Sequence, residues 1–418
     1  MTGWKFDQIT SSLRLTNVPP PSYRDKFHEV RALIAAWNKH MTECFIPGWV
    51  SCLDESMSVW TSKWTCPGFM YVPCKPHPMG NEYHSICCGM SEIMYAIELV
   101  EGKDEPKERK NKKFSGDGKT AGLLLRLCEG IFGTGKVVVL DSGFCVLQAL
   151  VELKKMGVYA SALVKKRQYW PKYVDGDAIA AHFEGKAVGT TERLPGVLDG
   201  EKFDLFAMKD EGYVMTIMST YGSLMVKDNQ KESVRALSND ETGNFKYTEV
   251  IANHFDFRGA VDFHNSKRHD CGTKHGLSLE ETWRTTNWTL RVFSFVLAIT
   301  EVNAFLAYRY YSGYSGTQLE FRKRLAHDMI YNGLDVDGAL TRSLTVEMEE
   351  EKKYHKLVTC PPGSKWIDGN WKKVYQFAYQ QVVCSNPDCN KRVQTVCACS
   401  PSIFRCKDCY TLHLTSPS

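Results

Sequence analysis

Two aspartates in this sequence each close an apolar run. Asp54 ends "WVSCLD" and Asp141 ends "VVVLD". In mixed sheets, ligands gather beyond strand ends, above all where the strand order changes. Neighbouring strands that end in carboxylates would set hard oxygen ligands side by side, and magnesium and manganese favour such oxygens. A pair of such ions stabilises both the attacking and the leaving oxygens of a phosphoryl transfer. The alternative is that each aspartate caps a turn or a helix. A third carboxylate, Asp262, lies in "FRGAVDFHNSKRHD" on a short helical stretch after Gly259. Its Ala and Val neighbours argue for a buried or capping position rather than an exposed one.

A separate group of residues suits a softer ion. Six of the 16 cysteines fall between Cys384 and Cys409. With one histidine they give the candidate ligands Cys384, Cys389, Cys397, Cys399, Cys406, Cys409 and His413. Thiolate and imidazole in short-spaced pairs suit tetrahedral zinc. Seven ligands are one short of two closed sites, and His355 or Cys360 could supply another. Disulfides are the alternative, and scattered cysteines without a secretory signal argue against them.

The elements around these residues follow a rhythm. Residues 1–48 read as helical, with Phe27, Val30, Leu33, Ile34 and Trp37 on one face. A short strand from Trp49 to Leu53 follows, then a hairpin in "EYHSICCGMSEIMYAIELVEG". Helix "TAGLLLRLCEGIF", strand "KVVVLD", helix "VLQALVELKKMGV" and strand "YASALV" come next. Strands alternating with helices imply an α/β mixed sheet with flanking helices. Residues 168–250 read as a mainly β insertion. Helices return over 251–350, including one long helix through "SLEETWRTTNWTLRVFSFVLAITEVNAFLAYRYY". A linker at 351–383 leads to the cysteine-rich segment 384–418. The pair Trp283 and Trp288 reads as core. "SGDGKT" fails as a phosphate loop, because Lys113 stands where the first glycine belongs and no strand precedes it.

With 418 residues, the chain can hold two or three domains with proper cores. Hydrophobic content of 43% and charged content of 24% are ordinary for a soluble globular protein. "MTGWKFDQIT" has no apolar run of the signal-peptide kind. Leu290–Tyr310 is the best membrane candidate, but Glu301 and Asn303 interrupt it, so it reads as a buried helix and no membrane partner is expected. Net charge is +4. Residues 351–418 hold ten Lys/Arg against four Asp/Glu, which is +6 and leaves −2 for the rest. A basic tail on a near-neutral body suits a polyanion-binding module. Lys165, Lys166 and Arg167 follow a strand beyond Asp141, where they could reach a phosphate backbone or form a solvated turn. "KERKNKK" at 107–113 reads as a nuclear localisation signal, a DNA-facing loop or an ordinary exposed loop.

Taken together, these boxes resemble the piggyBac transposase family, DDE-type enzymes with an RNase H-like core. "LDESMSVW" is similar to that family's first block and "YVPCKPHPMG" to its "PNKPxxxG" segment. "VVVLDSGF" with "ASALVKKRQYWP" resembles the second block, and "RGAVDFHNSKRHD" the third. Order and spacing agree from about residue 20 to the C-terminus. The resemblance implies that Asp54, Asp141 and Asp262 form a catalytic triad holding two Mg2+ or Mn2+ ions within 49–167 and 251–350. It implies a β-rich insertion domain at 168–250 and a cross-brace zinc domain that recognises transposon-end DNA. It also implies cleavage and strand transfer of double-stranded DNA, by water and then by a 3′-hydroxyl, in a nuclear homodimer. Residues 1–48 would be part of a dimerisation and DNA-binding region shorter than the family's, as in a fragment or a domesticated copy. Cys74 stands where the family has Asn, and Asn265 where it has a fourth aspartate. The rival expectations are a domesticated DNA-binding protein without catalysis and a metal-dependent nuclease without strand transfer.

Overall fold

The computed structural model describes residues 3–73, 75–108, 112–165, 175–226, 233–236, 242–270, 278–331, 357–359, 364–367, 370–373, 382–397 and 400–409. The chain separates into two compact units, Met1–Leu325 and Ala326–Ser418.

Helix α1 (Gly3–Ser12) and helix α2 (His28–Cys44) begin the first unit. α2 buries Val30, Ile34, Trp37 and Met41, the apolar stripe that its sequence carries. The strands then follow: β1 (Val50–Val59), β2 (Phe69–Tyr71), β3 (Met79–Cys88), β4 (Met94–Leu99), β5 (Val137–Leu140) and β6 (Tyr159–Leu163). β3 runs antiparallel to β1, and β2 and β4 share the other edge of β3. β5 is parallel to β1, and β6 is parallel to β5. The order β4-β3-β1-β5-β6 makes the mixed sheet of an RNase H-like core. Helices α3 (Lys119–Cys128) and α4 (Leu147–Lys155) form the crossovers on either side of β5. α3 and α4 pack on each other with Leu124, Leu127, Leu150 and Leu153 in the core.

After α5 (Gly176–His182), strands β7 (Thr191–Leu198), β8 (Glu201–Asp210) and β9 (Tyr213–Ser219) form a meander. β9 pairs antiparallel with β6, so this β-rich stretch continues the core sheet. A two-stranded ribbon of β10 (Ser233–Ala236) and β11 (Thr242–Phe245) follows. Helices α6 (Glu249–Phe257), α7 (Ala260–Asp270), α8 (Leu279–Thr282), α9 (Trp288–Ser312) and α10 (Gln318–Tyr331) come next in the chain.

The expected long helix is broken between α8 and α9. Asn287 caps α9, its side chain accepting from Thr289 N at 3.0 Å, which restarts the helix. By length and composition α9 could cross a membrane, yet 67% of its most apolar window is buried in the protein. Its two interrupting polar residues are put to use. Asn303 bonds the backbone N and O of Met94 at 2.9 and 2.7 Å, and Glu301 pairs with Arg322. Trp288 is buried and donates to Asn81 Oδ1 at 2.6 Å.

In the second unit, the segment expected as a linker carries strands. Leu357–Thr359 pairs with Thr395–Cys397, which in turn pairs with Ser400–Phe404. Ser364–Ile367 and Asn370–Lys373 form a ribbon with Trp366 opposite Trp371. In the sequence, the Asp-Gly dipeptide between these two strands is a common hairpin signal.

Candidate active site and metal centre

β1 and β5 are buried along their whole parallel pairing, from Val50 opposite Val137 to Leu53 opposite Leu140. Asp54 and Asp141 are the next residues on the two strands. The register therefore sets them at one level of the sheet. Only Asp141 ends its strand. β1 does not stop at Leu53 as expected, because β3 goes on offering it a partner, from Asp54 opposite Ser85 to Val59 opposite Gly80. Gly80 is required there: its φ is +145°, and a side-chain carbon would fall 1.8 Å from Ser58 O.

Asp141 does not cap. It is extended, and its backbone carbonyl accepts from Phe144 N at 3.0 Å, while its side chain makes no capping bond. The loop that follows lies against the first strand, since a side-chain carbon at Gly143 would stand 3.5 Å from Glu55 Oε1. Asp54 is buried, and its Oδ1 accepts from Glu55 N at 2.8 Å.

Asp262 corrects an expectation. It is 66% exposed, in the first turn of α7. The apolar neighbours Ala260 and Val261 take the buried face instead, along with His264 and Arg268 one and two turns on. α7 packs on β1 and β3, which brings Asp262 over the end of the parallel pairing.

One side chain ties these carboxylates together. Lys75 Nζ stands 3.9 Å from Asp54 Oδ2, 3.5 Å from Glu55 Oε2 and 3.9 Å from Asp262 Oδ1. Asp54 and Asp262 thus converge on one cation, and Glu55 joins them. Burial pushes the Asp54 carboxyl up to about 8, helped by its hydrogen bond with Glu55 and that neighbour's charge. Burial also works to raise Glu55, but its bond with Asp54 and the charge of Lys75 leave it below the usual range. Carboxylate oxygens gathered around one cation are donors of the kind that fit magnesium or manganese. Sequence reasoning missed Lys75 and Glu55. Both lie inside the quoted boxes, but only the folded chain brings them together.

Asn265 does not join the cluster as a ligand. Its amide donates to the backbone carbonyl of Glu55 at 3.3 Å, and its oxygen accepts from Arg268 at 3.4 Å. A carboxylate there could not make the first bond, so the asparagine works as a tie between α7 and β1. Beneath it, the fully buried Arg268 and Glu280 pair with each other. Arg268 also donates to Met57 O at 2.8 Å and lies 4.6 Å over the Phe295 ring. Glu280 accepts from Ser58 Oγ and Val59 N at 2.6 and 3.1 Å. This group bolts α7 and α8 to the extension of β1.

A third missed residue is His254 on α6. It is fully buried, and neither ring nitrogen has a hydrogen-bond partner among the described residues. Burial, then the charge of Arg258, brings it down to about 4, with Asp141 opposing and Lys165 adding to the fall. Lys165 itself is exposed just past β6, and Lys166 and Arg167 lie outside the described residues.

In the second unit, Cys384, Cys389, Cys406 and Cys409 hold their sulfurs within 4.8 Å of one another. Backbone N–H groups point at them: Cys406 N to Cys384 Sγ and Cys409 N to Cys406 Sγ, each 3.4 Å. The bond from Cys409 N is the main reason that the Cys406 thiol falls to about 7. Four soft donors with amide support fit a structural zinc ion. The first and third cysteine pairs form this group. Cys397 lies on the Thr395–Cys397 strand, and Cys399 and His413 lie outside the described residues.

The DDE transposase family described as Transposase IS4 matches residues 1–305, and the chain belongs to that family. Its fold is similar to that of the piggyBac transposase in a synaptic complex with hairpin DNA solved by cryo-electron microscopy. The TM-score is 0.56 at 14% sequence identity, over 97% of this chain and 79% of that one. No curated protein matches the chain.

Proposed function

We propose that this chain is a divalent-metal-dependent transposase that cleaves transposon ends and joins them to target DNA. The observation that supports it most is the convergence of Asp54 and Asp262 on one cation position, with Asp141 at the same level of the adjacent strand. Asp54, Asp141 and Asp262 would hold two Mg2+ or Mn2+ ions. Such ions supply the charge that stabilises the attacking and leaving oxygens of a phosphodiester. The chain's own part is position. The Glu55 N–H fixes the Asp54 carboxylate, and buried β1 and β5 fix the spacing of Asp54 and Asp141. Exposed Asp262 leaves the cluster open to a duplex. Lys165, with Lys166 and Arg167, would contact the phosphate backbone. A zinc ion on the four-cysteine group would order the basic tail for recognition of transposon-end DNA. The protein would act as a homodimer in the nucleus.

The test uses zinc-loaded protein, Mg2+ or Mn2+, and duplex DNA carrying the element's own inverted repeats. Nicking is expected, and Asp141→Ala should lower it at least about a hundredfold, the loss that even outer-shell changes can cause. Its folding and DNA binding should persist. Equal cleavage by the wild type and Asp141→Ala would sink the proposal.

A further inference from the structure

Lys75 lies between β2 and β3, where backbone bonds tie its described neighbours. Val72 N donates to Pro78 O at 2.8 Å and Lys75 N to Val72 O at 3.1 Å. Pro73, Pro76 and Pro78 fix their own backbone torsions. The His77 ring stacks on the His269 ring of α7, with centroids 4.4 Å apart. The loop therefore touches α7 twice: at His269 through His77, and at Asp262 through Lys75. Only the Lys75 side chain, on its flexible four-carbon stem, is free to retract without moving the backbone.

Its three carboxylate contacts, 3.5–3.9 Å, are nearly equal. That is a charge centred among ligands, not a tight pair with one of them. A divalent ion binds carboxylate oxygens at about 2.0–2.6 Å, so it would need the space that the ammonium fills. Like charges that close together also repel.

We propose that Lys75 is a built-in counter-ion for the catalytic cluster. Its ammonium holds Asp54, Glu55 and Asp262 together while no divalent ion is bound, and it withdraws when one binds. The lysine is thus a positioning residue that keeps the ligands assembled and sets the threshold for metal loading. This rests on the reading of Asp54 and Asp262 as metal ligands.

The test is Mn2+ binding by the full chain, zinc-loaded, followed by the loss of the free-ion electron paramagnetic resonance signal. Lys75→Met should bind Mn2+ about tenfold more tightly or better, the scale expected when a competing charge is removed. Without the ion, its melting temperature should fall below that of the wild type, and Mn2+ should restore it. Asp54→Asn tests the underlying reading and should lose the site. If Asp54→Asn loses binding while Lys75→Met binds as the wild type does, or more weakly, the counter-ion role is overturned and the metal site stands. If the wild type binds no more Mn2+ than Asp54→Asn, the metal site and the counter-ion role both fall. A measurement on the wild type alone covers a poorly folded variant. Acetylation of Lys75 by an amine-reactive ester, followed by mass spectrometry, should speed up several-fold with Mn2+. An unchanged or slower rate overturns the proposal.

Discussion

Asp54 and Asp141 owe their positions to a sheet, whereas Cys384, Cys389, Cys406 and Cys409 owe theirs to one another. The carboxylates stand at the end of eight buried residues in parallel register, and packing on both faces fixes the backbone from which they project. The four thiols are themselves much of the core they sit in: the local cluster is Cys384, Cys406 and Cys409 with Cys389 and Val393 against it. Hard ligands gain little from being forced together, since their charges repel, so a scaffold must do the forcing. Soft thiolates supply their own attraction once a metal arrives, and a small module can rely on it. The first site is made by its fold, and the second makes its fold.

Chelation should test this contrast most sharply. Structural zinc contributes about 10–16 kcal/mol in small modules. Stripping it should unfold the cysteine-rich segment, read as new protease cuts between residues 382 and 409, while the melting of Met1–Leu325 is unchanged. A segment that stays resistant without metal would break the comparison. On the other side, Arg268→Ala should cost the first unit about 3–5 kcal/mol by denaturant unfolding, because it strands the buried Glu280 charge. Zinc content should not change. A loss below 1 kcal/mol would mean that the clamp on β1 is not what holds the carboxylate scaffold.

The smallest expected effect is a pH dependence. His254 has a folded pKa of about 4 against the ordinary 6.5. The unfolded chain therefore takes up the extra proton between those values, and stability is lost as pH falls from 6.5 toward 4. The slope is about 1.4 kcal/mol per pH unit for this one group. His254→Phe should flatten that limb of the first unit's melting curve, and an unaltered slope would remove His254 from the account.

What the sequence shows of this molecule follows from how local each feature is. "VVVLD" and "YASALV" are short apolar runs between helical patterns, and β5 and β6 match them. The extension of β1 past Asp54 was not legible, because β3, a strand more than twenty residues on, decides it. Asn287 was a visible cap, but the apolar periodicity on both sides masked it. The Asp-Gly dipeptide between Ile367 and Asn370 was likewise visible, and polar composition hid the strands beside it inside a linker. Asp262 was misjudged because its neighbours' burial says nothing about which side of a helix it occupies itself. No pattern in the chain pairs Lys75 with Asp262, or brings the first and third cysteine pairs together, since both are matters of closure in space.

The pairing of Leu53 with Leu140 has a consequence for how such chains diverge. What must be preserved is a count, not a composition. Side chains along the two strands may be exchanged for other apolar ones, and Asp54 and Asp141 still stand at one level. One residue inserted within Val137–Leu140 would turn Asp141 to the opposite face at a stroke. The four positions from Val137 to Leu140 thus tolerate the exchange of one apolar residue for another but not a change of number.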